Sequence, residues 1–389
     1  MILSNKFFQL IEEAKVGNIS INDESNIEDL PESVPLGENV PWTTSDKIFC
    51  LVGDYCQNMG IPNLGEEQSR ETYYYSPKSV YCFGMANVGI EKPTLYTYIY
   101  PEEVGKKGGN NVALLVMKHI FENNIAQQNV TAKELTLIFD NYPGQNKNNH
   151  VIRLVNYLVQ KKYFKHARVV FLVKGHTKNV CDRFFNLLKI SYNKRNVYTY
   201  QQLLQTCDEV DLVNVRNTSE SDFKDWYGMM NIHYKTITDG EVLKNYVFYA
   251  SSENSHIIYI KEHHEATITI EQDLRRIKIR KRTRDEEKNR IISEWCTNVE
   301  QDKPNEIEAP GLADIKKAEL FCKWRELIPE PYRDDICPHP GEDVLEKVKN
   351  SKKKKKKKNN DKSPEKRKGE TSSKEVTKKK KIKNTSSND

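Results

Sequence analysis

The chain has 389 residues and a formal charge of +6 that divides unevenly. Seventeen Lys/Arg against five Asp/Glu follow residue 350, leaving a net −6 on residues 1–350. Eight scattered cysteines with no C-x-x-C pair argue against a disulfide framework or cysteine-rich zinc knuckle, and no apolar run approaches the roughly 20 residues of a bilayer span. No basic segment precedes an apolar core at the N-terminus, so the expectation is a soluble intracellular protein without a membrane partner.

In chain order, residues 1–45 are acidic and Asn/Ser/Pro-rich, and read as one short amphipathic helix and a linker. Residues 47–52 (KIFCLV) form an apolar run that ends at Gly53-Asp54, the pattern of a buried strand with an acid at its end. Residues 80–85 and 94–100 predict a hairpin. GKKGGNN (105–111) leads into a helix; it lacks the G-x-x-x-x-G-K-[ST] spacing of a phosphate loop and reads as a turn with backbone N–H groups available to an anion. LTLIF (135–139) delivers Asp140 to a strand end, and a polar turn containing Gln145, Asn146 and Lys147 enters a helix. A strand over 168–173 runs to Gly175-His176-Thr177, and the next helix presents Asp182 in its first turns.

Past residue 205 the pattern predicts a short helix over 198–210 and strands over 246–249, 256–260 and 266–270. These suggest a smaller C-terminal α+β lobe spanning 206–345. His263-His264 reads as a surface pair. RRIKIRKRTR (275–284) is the one dense basic stretch of the body: Arg275, Arg276, Lys278 and Arg280 suit phosphate contacts, or else a solvated strand edge. Trp324 lies on an apolar helical stripe and reads as core. Lysine blocks at 352–358, 366–368 and 378–381 are of nuclear-localisation type and predict a disordered tail over 346–389 with a nuclear address.

The order strand, strand, strand, helix, strand, helix, strand, helix predicts an α/β domain over 46–205. It matches an RNase H-like mixed central sheet flanked by helices, in which the first and fourth strands lie side by side and a late helix crosses them. Asp54, Asp140 and Asp182 then fall near one sheet edge, where ligands of α/β sheets collect. The bland alternative for Asp140 and Asp182 is helix capping. The segments DYCQN (54–58), VYCFG (80–84), GKKGGNN, DNYPGQNKNN (140–149) and GHTKNVCD (175–182) resemble the signatures of an uncharacterised family of transposon-associated proteins with an RNase H-like core. The resemblance covers about residues 48–205, extends more weakly through the segment around Pro310-Gly311 and Trp324 to about residue 340, and implies descent from a transposase.

Converging carboxylates repel one another unless a cation or proton relieves them. Hard oxygen donors suit a pair of Mg²⁺ or Mn²⁺ ions and in-line phosphoryl transfer, with Asp54, Asp140 and Asp182 as ligands. RNase H-like relatives often carry Glu at the last position, and the shorter Asp182 demands a closer helix. His176 would orient water or contact a phosphate, or only cap its helix. Gln145, Asn146 and Lys147 would contact a nucleic-acid backbone. The expectation is a metal-dependent DNA strand-transfer or nuclease domain, compatible with a homo-oligomer. The alternative is a catalytically silent domesticated transposase that binds nucleic acid in the nucleus.

Overall fold

The longest strand is also the central one. In the computed structural model, which describes residues 42–65, 70–173, 179–280 and 282–360, β1 (Thr43–Tyr55) starts several residues before the apolar run that announced it. After β2 (Met59–Ile61) and β3 (Asn63–Leu64), β4 (Lys78–Asn87) pairs antiparallel with β1, and β5 (Leu95–Pro101) pairs antiparallel with β4. Helix α1 (Gly109–Glu122) crosses to β6 (Val130–Phe139), which lies parallel on the other side of β1. Helix α2 (Asn149–Gln160) leads to β7 (Phe164–Phe171), parallel to β6. The first and fourth long strands are thus neighbours, as their order predicted.

Helix α3 (Val180–Asn193), β8 (Asn196–Val197), α4 (Tyr200–Asp208) and β9 (Val213–Asn217) follow, β9 adding parallel to β5. Helices α5 (Trp226–His233) and α6 (Asp239–Lys244) precede β10 (Val247–Ser251), β11 (Ile257–Lys261) and β12 (Ile270–Asp273). The strands expected in a separate lobe extend the same sheet, because β10 pairs with β7. The result is a mixed ten-stranded sheet in the order β12-β11-β10-β7-β6-β1-β4-β5-β9, with β2 on β4. Alternation along β1 and β6 divides the interior: Leu51, Leu135, Leu137 and Phe139 join α1, α2, α5 and α7 (Asp285–Gln301) on one face, while Cys50, Val52 and Ile138 join α3 and α4 on the other. The second face also receives Leu320, Trp324 and Ile328 from the stretch after α8 (Asp314–Glu319), so Trp324 is core, and Ile336 from α9 (Arg333–Ile336).

Two glycines set how closely this interior closes. A Cβ on Gly84 would meet Phe185 Cζ at 2.7 Å, so its absence lets α3 lie against β4. A Cβ on Gly53 would meet Phe139 Cε1 at 2.5 Å, so the ring of Phe139 tucks beneath the end of β1.

Residues 340–389 form a second unit. Part of the stretch expected to be disordered is helical: α10 runs Glu342–Asn360, with Glu342 and Asp343 in its first turn, where acids oppose the positive end of the helix dipole, and an Asp343–Lys347 pair one turn apart. Residues 361–389, and the lysine blocks within them, lie outside the described residues, as does the expected N-terminal helix.

Candidate functional site

The carboxyl end of β1 carries the site. Val52 pairs with Ile138 in the parallel β1–β6 ladder, so Asp54 and Asp140 each stand two residues past this pair and project to the same face as Val52 and Ile138. That is the face α3 covers. Cys181 in the first turn of α3 places its Sγ 3.6 Å from Val52 O and 3.9 Å from Gly84 O, which seats the helix N-terminus directly over the strand ends. Asn179, the residue before α3, caps it by accepting from Cys181 and Asp182 N–H. Its Nδ2 donates to Asp54 Oδ2 at 3.2 Å.

All three acids therefore lie at one edge, but with different partners. Asp54 accepts the Tyr55 N–H at 2.7 Å. Burial raises its carboxyl to about 6, the Asp140 charge adds to this, the Tyr55 and Asn179 hydrogen bonds oppose it, and Asp182 raises it further. Asp140 accepts the Asn146 amide at Oδ1 and lies 3.4 Å from Tyr142 N. Asp182 Oδ2 accepts the Asn179 N–H at 3.1 Å, completing a capping box. The capping role read for Asp182 is real, and it engages one carboxylate oxygen. Among the described residues no three His, Cys, Asp or Glu side chains converge tightly enough to hold a metal ion. The donors fit a hard divalent cation in type, being carboxylate oxygens, of which Asp54 is raised by burial and then by the charges beside it.

The turn after Asp140 serves the fold more than a ligand. Asn146 is 0% exposed and Lys147 1%, so neither offers the backbone contact expected of it. Lys147 Nζ donates to Leu243 O at 3.0 Å and sits 3.9 Å over the Tyr246 ring, and burial pushes its ammonium down to about 8. Burial of these groups is offset where Lys147 Nζ and Asn146 Nδ2 find internal acceptors, while Asn146 Oδ1 has none among the described residues. Gln145 stays half-exposed. Residues 79–266 match the family described as a domain of unknown function (DUF7869). No curated protein and no solved structure matches the chain. The matched span, a little under half the chain, takes in Asp140 and Asp182 and leaves β1 with Asp54 outside.

Two residues near Asp54 were missed. Asn179 gave no signal beyond its place before a helix. Lys107, in the GKKGGNN turn, donates to Cys56 O at 2.9 Å and lies 4.8 Å over the Tyr55 ring. Burial lowers its ammonium, while Cys56, Cys82 and Asp54 act to raise it. His176 lies outside the described residues. Arg275, expected to contact phosphate, is instead held in a forked pair with Asp273, with contacts of 2.7–3.2 Å. Arg276, Lys278 and Arg280 are exposed.

Proposed function

We propose that this chain is an RNase H-like domain of transposase descent that carries out divalent-metal-dependent phosphoryl transfer on nucleic acid. What supports the reading is the placement of Asp54 beside Asp140, which follows the adjacent parallel strand, and under the helix that carries Asp182; burial first, and then these charges, raise its carboxyl. Strand order supports it as well, since β7-β6-β1-β4-β5 is the arrangement expected of that core. Asp54 and Asp140 would hold the metal, with Asp182 contributing its second oxygen while the first caps α3. A bound Mg²⁺ or Mn²⁺ pair would supply an activated water or 3′-hydroxyl and charge compensation at the leaving oxygen. Asn179 would hold Asp54 in place, and Asn146 would do the same for Asp140 by donating to one oxygen and leaving the other for ligation. Lys107 would anchor the chain just past Asp54.

The engagement of Asp182 in its cap favours a second reading, a catalytically silent nucleic-acid-binding protein, with the lysine blocks as its nuclear address. One experiment separates them. The purified chain is titrated with Mn²⁺ and melted, and tested for nicking or joining of DNA. The first reading expects a metal-dependent rise in Tm, because a ligand that binds only the native state stabilises it, and Asp140→Asn should remove both the cleavage and most of the rise. Asparagine keeps the oxygen that accepts from Asn146, so the variant folds. No metal-dependent shift together with no cleavage of single- or double-stranded substrates leaves the silent binder.

A further inference from the structure

The stretch after β12 is dense in positive charge. Residues 275–284 contain seven Lys/Arg and no acid. Among the described residues of this stretch, the strand-type pairing after β12 is an isolated bridge between Arg275 and Tyr234. Arg275 is neutralised by Asp273. Arg276, Lys278 and Arg280 are exposed, and among the described residues none of them pairs with a carboxylate. The acids that follow do not serve them: Asp285 pairs with Lys288 within α7.

Backbone bonds anchor the stretch to the body. Arg276 N–H donates to His233 O at 2.8 Å, and Lys235 N–H donates to Leu274 O at 2.6 Å. Two residues on, Ile237 N–H donates to Asn149 Oδ1 at 2.8 Å, and Asn149 Nδ2 returns a bond to Ile237 O at 2.9 Å. Asn149 is the first residue of α2, at the end of the turn that leaves Asp140. One turn further along α2, the buried Arg153 bonds only neutral acceptors: Lys235 O at 3.0 Å, Asn231 Oδ1 at 2.6 Å and Thr236 Oγ1 at 2.6 Å. Burial and then the Arg276 charge push its guanidinium down to about 10. The register from β7 through β10 and β11 levels Asp273 with His166 and Ile48, so the stretch leaves β12 at the end of the sheet away from the acids.

We infer that Arg276, Lys278 and Arg280, with the exposed Lys235 beside them, form a track for the phosphodiester backbone of a nucleic-acid strand, at the end of the sheet away from Asp54 and Asp140. The inference rests on the nucleic-acid substrate of the reading above, but not on turnover. The partner is a polyanion because exposed cations without carboxylates are neutralised by phosphates, with release of the counterions condensed on the strand.

The test uses the full chain in EDTA and three labelled oligonucleotides of equal length: single-stranded DNA, single-stranded RNA and duplex DNA. Affinities are measured across a salt series for the parent, for R276S/K278S/R280S, and for a charge-matched tail control, K378S/K379S/K380S. The track variant should lose affinity at least about tenfold at 0.1 M salt, with the salt slope falling by about one per lost phosphate contact. The control should lose distinctly less. Which oligonucleotide shows the largest difference names the strand type. Equal losses in the two variants would mean that net charge alone matters and would overturn the track. So would an unchanged slope, or a loss confined to binding of phosphatidylserine vesicles. Metal-dependent melting of the track variant is followed in parallel: if the parent shows no metal response yet the track effect stands, the catalytic reading fails and the track survives.

Discussion

The acids at the carboxyl edge of β1 and β6 and the cations after β12 are both clusters of like charge, yet they are built in opposite ways. Asp54 is half-buried, held by Tyr55 and Asn179, and its carboxyl responds to the two acids beside it. Arg276, Lys278 and Arg280 are exposed, tethered only by backbone bonds, and the solvent screens them. Repulsion in the first cluster is therefore carried by the fold, whereas in the second it costs the fold almost nothing. On the proposals above, a compact divalent ion would relieve the first and an extended polyanion the second. Stability and binding measurements should accordingly separate the two.

The largest effect is expected where the acids are brought together. Gly84→Val would drive a side chain into Phe185 and Leu95, lifting α3 from β1 and β4; overpacking of this kind costs about 1–3 kcal/mol. Chemical denaturation should show that loss, and the Asp54 carboxyl, followed by NMR, should titrate nearer its ordinary value. An unchanged titration would mean that α3 does not bring the acids together.

Next comes Asp54→Asn without metal. The folded carboxyl titrates at about 6, above its unfolded value of about 3.9. The native state therefore binds more protons than the unfolded state between these values, and the parent loses stability as pH rises through them. The asparagine variant should gain up to about 3 kcal/mol at pH 7–8, at about 1.4 kcal/mol per pH unit of displacement, and nothing below pH 4. Paired melts at pH 4 and pH 8 check it, and a gain that does not depend on pH counts against the electrostatic cause.

Asp182→Ala should cost less, about 0.5–1 kcal/mol, because one half of a capping box is lost while repulsion on Asp54 eases. R276S/K278S/R280S should change stability least, by no more than about 0.5 kcal/mol, since no ion pair is broken. A loss well above that would reveal that the stretch supports the fold.

The positions of Asp54, Asp140 and Asp182 were legible because each follows or opens an element whose apolar pattern is unambiguous: KIFCLV, LTLIF, and a helix with Phe184, Phe185 and Leu188 on its buried side. The pairing of β10 with β7 was not, because short strands such as Val247–Ser251 carry no record of their partner. Lys147 misled for a related reason. In sequence it is a cation in a polar turn, and only the tertiary fold supplies Leu243 O and the Tyr246 ring. Arg275 looks like its neighbours until β12 places Asp273 alongside it.

The burial of Lys147 also makes it a natural clock. An amine that titrates near 8 holds a far larger share of its nucleophilic form at neutral pH than an ordinary lysine does, so amine-reactive reagents would modify it faster if they could reach it. Enclosed as it is, it waits for the 141–148 turn to open, and its labelling rate then reports how often that turn releases. The same turn carries Asn146, which fixes Asp140. Slow acylation of this one lysine, read by mass spectrometry against the exposed lysines as internal references, would give the opening frequency of the structure that holds Asp140, with no substrate required.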